Sequence, residues 1–503
     1  MNMKKNHKIK LIAIFLILSI TITLCLLLTS CGGDNKTDET NNNNNQNQNA
    51  ADDDRSANSD GPSLEELYPY PDHDFKGETI KFLSRKDDWA NGSQDFDDLN
   101  VEAETGEVLN DSVYKRTKTI EEKYSVLIEA EHVKDPTATI TKSIKAGDDE
   151  YQMIQEKLMF MSATLAPQNF LYNLKAVSSI NLDAPWYDQN AIKDLSINNK
   201  ITVLSGDMTV SDKSGVIFAV FNKKMMMDYG FENLYNTVSE GKWTLDKLYE
   251  LMTAVSADLN GDGKMTLQDD QWGLIIENYG GWMFSVASGN RIAGLDENGL
   301  PYITCTGEKN INDYERIKKI MYEQNGRSSV NNPEEHANTF AENRALFSIT
   351  GSSSIAALRS MEEDFGIVPL PKQDETQKDY YTPLSAWISR SIAMPTTCGN
   401  PEMVGAVIDA MSRESTETVV PAYFNNLMNQ KIARDEESID MLKMIFGSII
   451  YDLGAVFNWG GIWDEQQNFI GSKKDDYLGN YERIQGKVEA ALQKTIDSML
   501  ENN

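Results

Sequence analysis

The chain is 503 residues long, carries a formal net charge of −30 and contains 8 Trp, 20 Tyr and 17 Phe. So acidic a chain excludes a nucleic-acid partner, because phosphate binding needs clustered cations; the charge instead favours solubility through self-repulsion. The length exceeds what one hydrophobic core usually holds, so two lobes or domains are expected.

The first element is a leader. Met1 to Lys10 is basic through Lys4, Lys5, Lys8 and Lys10 and holds no acid, and Leu11 to Leu28 is almost wholly apolar. A basic start followed by an apolar core is a secretory signal. The run is near the length that spans a bilayer, but it ends in Leu28-Thr29-Ser30-Cys31, then Gly32 and Gly33. That ending resembles the lipobox of bacterial lipoproteins. The resemblance implies removal of residues 1–30 and a lipid on Cys31, which anchors the chain to the outer, extracellular face of the cell membrane. Two acyl chains, at about 0.8 kcal/mol per buried CH2, suffice for stable anchoring. Residues 31–63 read as a lipidated, disordered tether: Asp34 to Asp60 includes Asn41 to Asn45 unbroken and no aromatic or large aliphatic residue. Such a segment cannot bury enough apolar surface to offset its ordering entropy. Beyond the leader and the lipid cysteine only Cys305 and Cys398 remain. Two free buried thiols are expected rather than a disulfide, since spacing alone supplies no distance.

Strand and helix signals then alternate. Glu78 to Leu83 reads as a strand, Val113 to Tyr124 as a helix, Val126 to Glu131 as a strand, Thr137 to Ala146 as a helix and Tyr151 to Gln155 as a third strand. This alternation predicts a mostly parallel sheet with helices on its faces. A second block follows: strand Val216 to Asn222, helix Lys224 to Tyr229, and an amphipathic helix from Thr244 to Ser256 with Leu245, Leu248, Leu251 and Met252 on one stripe. Thr244 is its expected N-cap. Leu274 to Glu277, Ala345 to Thr350 and Phe365 to Val368 are further strands, the last ended by Pro369, and Tyr481 to Met499 is a helix.

Four stretches in this order carry a resemblance: Val216 to Phe231, Glu240 to Leu245 with its Trp243-Thr244, Phe340 to Gly351, and Asp364 to Lys372 with its Gly-Ile-Val-Pro-Leu-Pro. Together they resemble the family 1 extracellular solute-binding proteins of bacterial ABC importers, over most of the chain from about residue 76 onward. The resemblance implies an α/β, two-lobed, periplasmic-binding-protein-like fold of type II with a ligand cleft between the lobes. Lobe one would hold 76–214 and 365–415, and lobe two 215–364 and 416–503. It further implies capture of an extracellular carbohydrate by a monomer, delivery to the permease subunits of an ABC transporter, and no chemistry on the ligand. Two departures stand out: Ser352, Ser353 and Ser354 replace aromatics found in a relative, and Tyr151-Gln152 lacks an Asp common after the Tyr.

The sharpest local motif runs from Asp258 to Asp269. Asp258, Asn260, Asp262 and Gly263 fit positions 1, 3, 5 and 6 of a calcium loop, and Asp269 stands at position 12. Lys264 would give its carbonyl and Thr266 a hydroxyl or bridging water, with Asp270 a possible substitute for Asp269. A second helix straight after the loop is not evident, because Gln271 to Leu274 reads as a strand, so a lone structural Ca²⁺ is expected rather than a regulatory pair.

Sugars stack their C–H faces on aromatics and offer hydroxyls to polar side chains, so aromatics in loops near strand ends are the candidate contacts. Trp89 follows the first strand with Arg85 and Asp88 beside it, Tyr279 and Trp282 flank two glycines after the strand at Leu274, and Trp459 lies in another Gly-rich stretch. Enzyme signatures are absent: the histidines His7, His73, His132 and His336 form no metal-ligand pair, and no nucleophile or phosphate-loop motif occurs. A surface-anchored glycoside hydrolase, a polysaccharide-adhesion protein and a binding protein for another solute such as a peptide remain as alternatives.

Overall fold

Among the described residues, thirteen strands form two main sheets and two small pairs. In chain order they are β1 (Glu78–Arg85), β2 (Val126–Val133), β3 (Met153–Lys157), β4 (Ile217–Asn222), β5 (Trp272–Ile275), β6 (Ala293–Leu295), β7 (Pro301–Ile303), β8 (Arg327–Ser328), β9 (Ala345–Gly351), β10 (Phe365–Val368), β11 (Thr382–Pro383), β12 (Arg390–Ala393) and β13 (Ile449–Ile450). The protein's structure, a computed structural model, describes residues 63–501 except 87–96, 278–279, 323–326, 329–332, 429–435 and 473. The leader, Cys31 and nearly all of the tether therefore lie outside the described residues. Among the described residues no helix is long and apolar enough to cross a membrane.

The first sheet has the order β12-β3-β1-β2. β1 runs parallel to both β2 and β3, as the alternation predicted. Ile80, Phe82, Leu83 and Ser84 are all buried, because helices cover both faces of the sheet. The second sheet, β10-β4-β9-β5-β8, is mixed. β4 is antiparallel to both β9 and β10, while β5 is parallel to β9 and β8. β6 and β7 form a small antiparallel pair, and β11 and β13 a parallel one.

The expected lobe borders shift in two places. β10 pairs with β4, so 365–368 belong to the second sheet, and the chain rejoins the first only at β12. Helix Val419–Met428 packs on first-lobe helix Val108–Tyr124, so the first lobe reaches beyond residue 415. The tail helix Tyr477–Leu500 also touches Ala166–Gln168, where Ser498 donates to the Ala166 carbonyl at 2.7 Å.

The motif residues show why they recur together. Helix Leu245–Val255 is capped by Thr244, whose hydroxyl accepts the Lys247 N–H at 3.3 Å. Trp243 is fully buried and donates its indole N–H to the Pro369 carbonyl at 2.8 Å. Lys372 N–H bonds to the Trp243 carbonyl at 3.0 Å, and Leu245 N–H to the Lys372 carbonyl at 2.8 Å. The Trp-Thr turn thus clamps the Pro-Leu-Pro segment that leaves the second sheet. Cys305 and Cys398 are free and buried. Burial pushes their thiols up to about 12 and about 11, which keeps them protonated and unreactive.

Candidate functional site

The carboxyl ends of β1 and β3 gather a charged and aromatic platform. Parallel pairing sets Ser84 opposite Gln155, which brings Arg85 beside Glu156. Arg85 donates through Nε and Nη2 to the two Glu156 oxygens at 2.6 Å each, and its Nη1 reaches the Lys134 carbonyl at 2.7 Å. Glu156 is wholly buried and also takes a 3.3 Å hydrogen bond from Thr137. Arg85 was expected to meet a ligand; its guanidinium is instead spent on Glu156 and on backbone, so it supports the platform.

β12 completes the arrangement. It runs antiparallel to β3 with Arg390 opposite Lys157, so the residues before Arg390 fold over the end of β3. Leu158 N–H bonds to the Ser389 carbonyl at 2.9 Å and Met159 N–H to the Ala386 carbonyl at 3.0 Å. Phe160 and Trp387 then meet edge to face, their centroids 4.7 Å apart at 84°. The Arg85 guanidinium lies 5.3 Å from the Phe160 centroid, and Lys157 Nζ 5.2 Å from that of Trp387. Trp387 stays 40 % exposed, more than any other tryptophan among the described residues. Sequence reasoning missed Phe160, Lys157 and Trp387. The available signal was a lone Trp in Ser385-Ala386-Trp387-Ile388, ahead of a short strand.

On the second sheet, Glu277 lies just beyond β5. Burial alone pushes its carboxyl up to about 7. Trp282 and Trp459, both expected as ligand contacts, are buried. Trp282 is 3 % exposed and stands edge-on to Trp463 at 5.7 Å. Trp459 is 2 % exposed, stacks on Phe457 and donates its indole N–H to Thr495 at 2.9 Å. The glycines beside Trp459 serve packing rather than ligand access: Gly460 has φ +59°, and a Cβ there would meet the Lys487 backbone at 2.6 Å. Asp88, Trp89 and Tyr279 lie outside the described residues. Ser352, where a relative has aromatics, donates its hydroxyl to the Lys213 carbonyl and its N–H to the Val216 carbonyl.

The Asp258–Asp269 loop is fastened by its own side chains. Asp258 accepts the N–H of Gly261 at 2.7 Å and of Gly263 at 2.8 Å, Asn260 that of Asp262 at 2.9 Å, and Asp262 that of Lys264 at 2.8 Å. Gly261 and Gly263 adopt φ of +73° and +77°, which the turn requires. Asp270 rather than Asp269 closes the loop, accepting Leu259 N–H at 2.9 Å and Thr266 N–H at 2.6 Å. These bonds, led by Thr266, hold the Asp270 carboxyl below its ordinary range. Asp269 pairs with the Thr266 hydroxyl at 3.3 Å. Among the described residues no group of three His, Cys, Asp or Glu side chains is placed to hold a metal ion.

No family model and no curated protein matches the sequence. Solved structures do match. A cyclo/maltodextrin-binding protein complexed with maltotetraose aligns over 84 % of this chain and 97 % of its own, at 14 % identity and a TM-score of 0.54. UspC of M. tuberculosis aligns over 82 % and 100 %, at 12 % identity and 0.53. The apo form of RafE from Streptococcus pneumoniae aligns over 84 % and 99 %, at 12 % identity and 0.51. At such identities the likeness establishes architecture: the chain has the two-lobed α/β fold of type II that these structures share.

Proposed function

We propose that this chain is the solute-binding lipoprotein of an ABC importer, capturing a carbohydrate outside the cell and passing it unaltered to the permease. The observation that carries the reading is the Phe160–Trp387 platform, with Trp387 left 40 % exposed at the carboxyl ends of a parallel sheet. Open α/β sheets place their ligands there, and an aromatic face is the surface on which a sugar ring stacks. The fold supports the reading, since one protein that shares it is complexed with maltotetraose. A thermal-shift screen of the purified chain against neutral oligosaccharides tests it. At least one should raise the melting temperature and be recovered intact after long incubation; hydrolysis products would favour the glycoside-hydrolase alternative.

Two further parts of the reading rest on sequence. Cys31 carries the lipid, so Cys31→Ala should release the protein from membranes or leave it unprocessed; a mutant that fractionates like wild type removes the anchor. The Asp258 loop holds one structural Ca²⁺. Its oxygens suit a hard cation, and each carboxylate keeps lone pairs beyond those given to backbone N–H groups.

A further inference from the structure

Val210–Gly215 is the first passage between the lobes, and it carries a buried acid at its centre. Asp212 is 2 % exposed. Its Oδ1 lies 3.0 Å from Lys213 Nζ, while Oδ2 is enclosed and takes no hydrogen bond. A buried carboxylate oxygen with no donor is costly, and a proton removes that cost.

Among the described residues, the charges that act on Asp212 are those of Lys213, Asp188 and Asp207. Lys213 is shared with Asp207, whose Oδ1 is 4.0 Å away and whose Oδ2 takes the Thr416 hydroxyl at 2.8 Å. Asp188, the N-cap of helix Gln189–Leu195, adds negative charge and accepts the Tyr451 hydroxyl at 2.9 Å. Tyr423 of helix Val419–Met428 and Tyr451 both feel the Asp212 charge, and Tyr423 that of Asp98 as well. Burial pushes the Asp212 carboxyl up to about 7, and the nearby Asp188 and Asp207 add to this against the pull of Lys213. Burial also works against the charge of Lys213, but Asp212 and Asp207 more than offset it, so the ammonium is retained.

The same segment is bound to both lobes. The Lys213 and Val216 carbonyls accept from Ser352 of the second lobe. Gly215 exchanges hydrogen bonds with the returning passage, from its N–H to Ser389 Oγ at 3.1 Å and to its carbonyl from Ser385 N–H at 2.9 Å. A Cβ at Gly215 would stand 2.5 Å from Ser389 Oγ, so the two passages lie in direct contact. Asp212 and this junction share one six-residue segment, so a shift of its backbone is passed to both lobes.

We propose that Asp212 makes the crossing segment a proton-responsive hinge: the observed arrangement of the lobes houses the neutral acid, and loss of the proton drives the segment toward an arrangement in which the carboxylate reaches water or a second donor. The inference does not rest on the carbohydrate reading, and its test contains no sugar, so the two fail separately. Because the native state holds this proton more tightly than the unfolded chain, its stabilisation is full below about pH 4 and is lost as pH rises through about 7. The experiment follows melting temperature and radius of gyration, by small-angle X-ray scattering, from pH 5.5 to 8.5. In the wild type both should change with a midpoint near pH 7, the melting temperature falling. Asp212→Asn, or Asp212→Ser should the first not fold, should flatten both courses. Asp194→Asn neutralises another carboxyl that burial raises, outside the segment, and should leave them intact. A wild-type radius of gyration that does not move with pH overturns the hinge. So does an Asp212→Asn protein whose courses superimpose on wild type, or an Asp194→Asn protein in which they vanish.

Discussion

At the scale of single residues, the tryptophans divide by what surrounds them. Trp459 is enclosed, and its N–H is bound to Thr495; Trp387 meets Phe160 and Lys157 and stays 40 % exposed. Trp459→Ala should therefore cost roughly 3–5 kcal/mol of stability through the cavity it leaves. Trp387→Ala should cost far less, because an exposed ring leaves no sealed void. Urea unfolding of the two variants reads the difference, and equal losses would remove the distinction. These roles were only partly legible in the sequence. A glycine-rich neighbourhood marked Trp459 as accessible, yet Gly460 is there so that the tail helix can approach the backbone. Nothing local to Trp387 says that it will meet Phe160, more than two hundred residues earlier in the chain. The burial of Asp212 was equally invisible, since an Asp-Lys pair reads as a solvated surface until the fold closes over it.

At the scale of elements, periodicity worked where the signal was local. The helix at Leu245–Val255 was marked by its apolar stripe and its Thr244 cap, and β10 by the Pro369 that ends it. β12 was missed because four residues carry no period, and only long-range pairing with β3 makes them a strand. The strand directions of the second sheet were not legible for the same reason: a series of strands and helices does not say which strands run antiparallel. The Asp258 loop is an element whose fold and ion are separable. A ligand that binds only the folded state stabilises it by about 2.7 kcal/mol at a hundredfold excess over its Kd. Chelation should lower the melting temperature and Ca²⁺ should restore it. An unchanged melting temperature, together with no ion at the loop in a structure grown with Ca²⁺, would leave a self-bonded turn.

At the scale of the whole molecule, two sheets are joined by passages at Val210–Gly215 and between β10 and β12. The clamp of Trp243 on Pro369 and the junction of Gly215 with Ser385 and Ser389 tie these passages down. Trp387 sits in the second passage, against Phe160 and Lys157 of the first lobe. The central claim is that this face holds a sugar. It is tested most directly by calorimetric titration of the oligosaccharide that gives the largest thermal shift into wild type and Trp387→Ala. The account predicts saturable binding to wild type and an affinity about tenfold lower in the variant, equivalent to about 1.4 kcal/mol, with melting temperature nearly unchanged. Equal affinity in the two proteins, or no oligosaccharide that binds either, would contradict it.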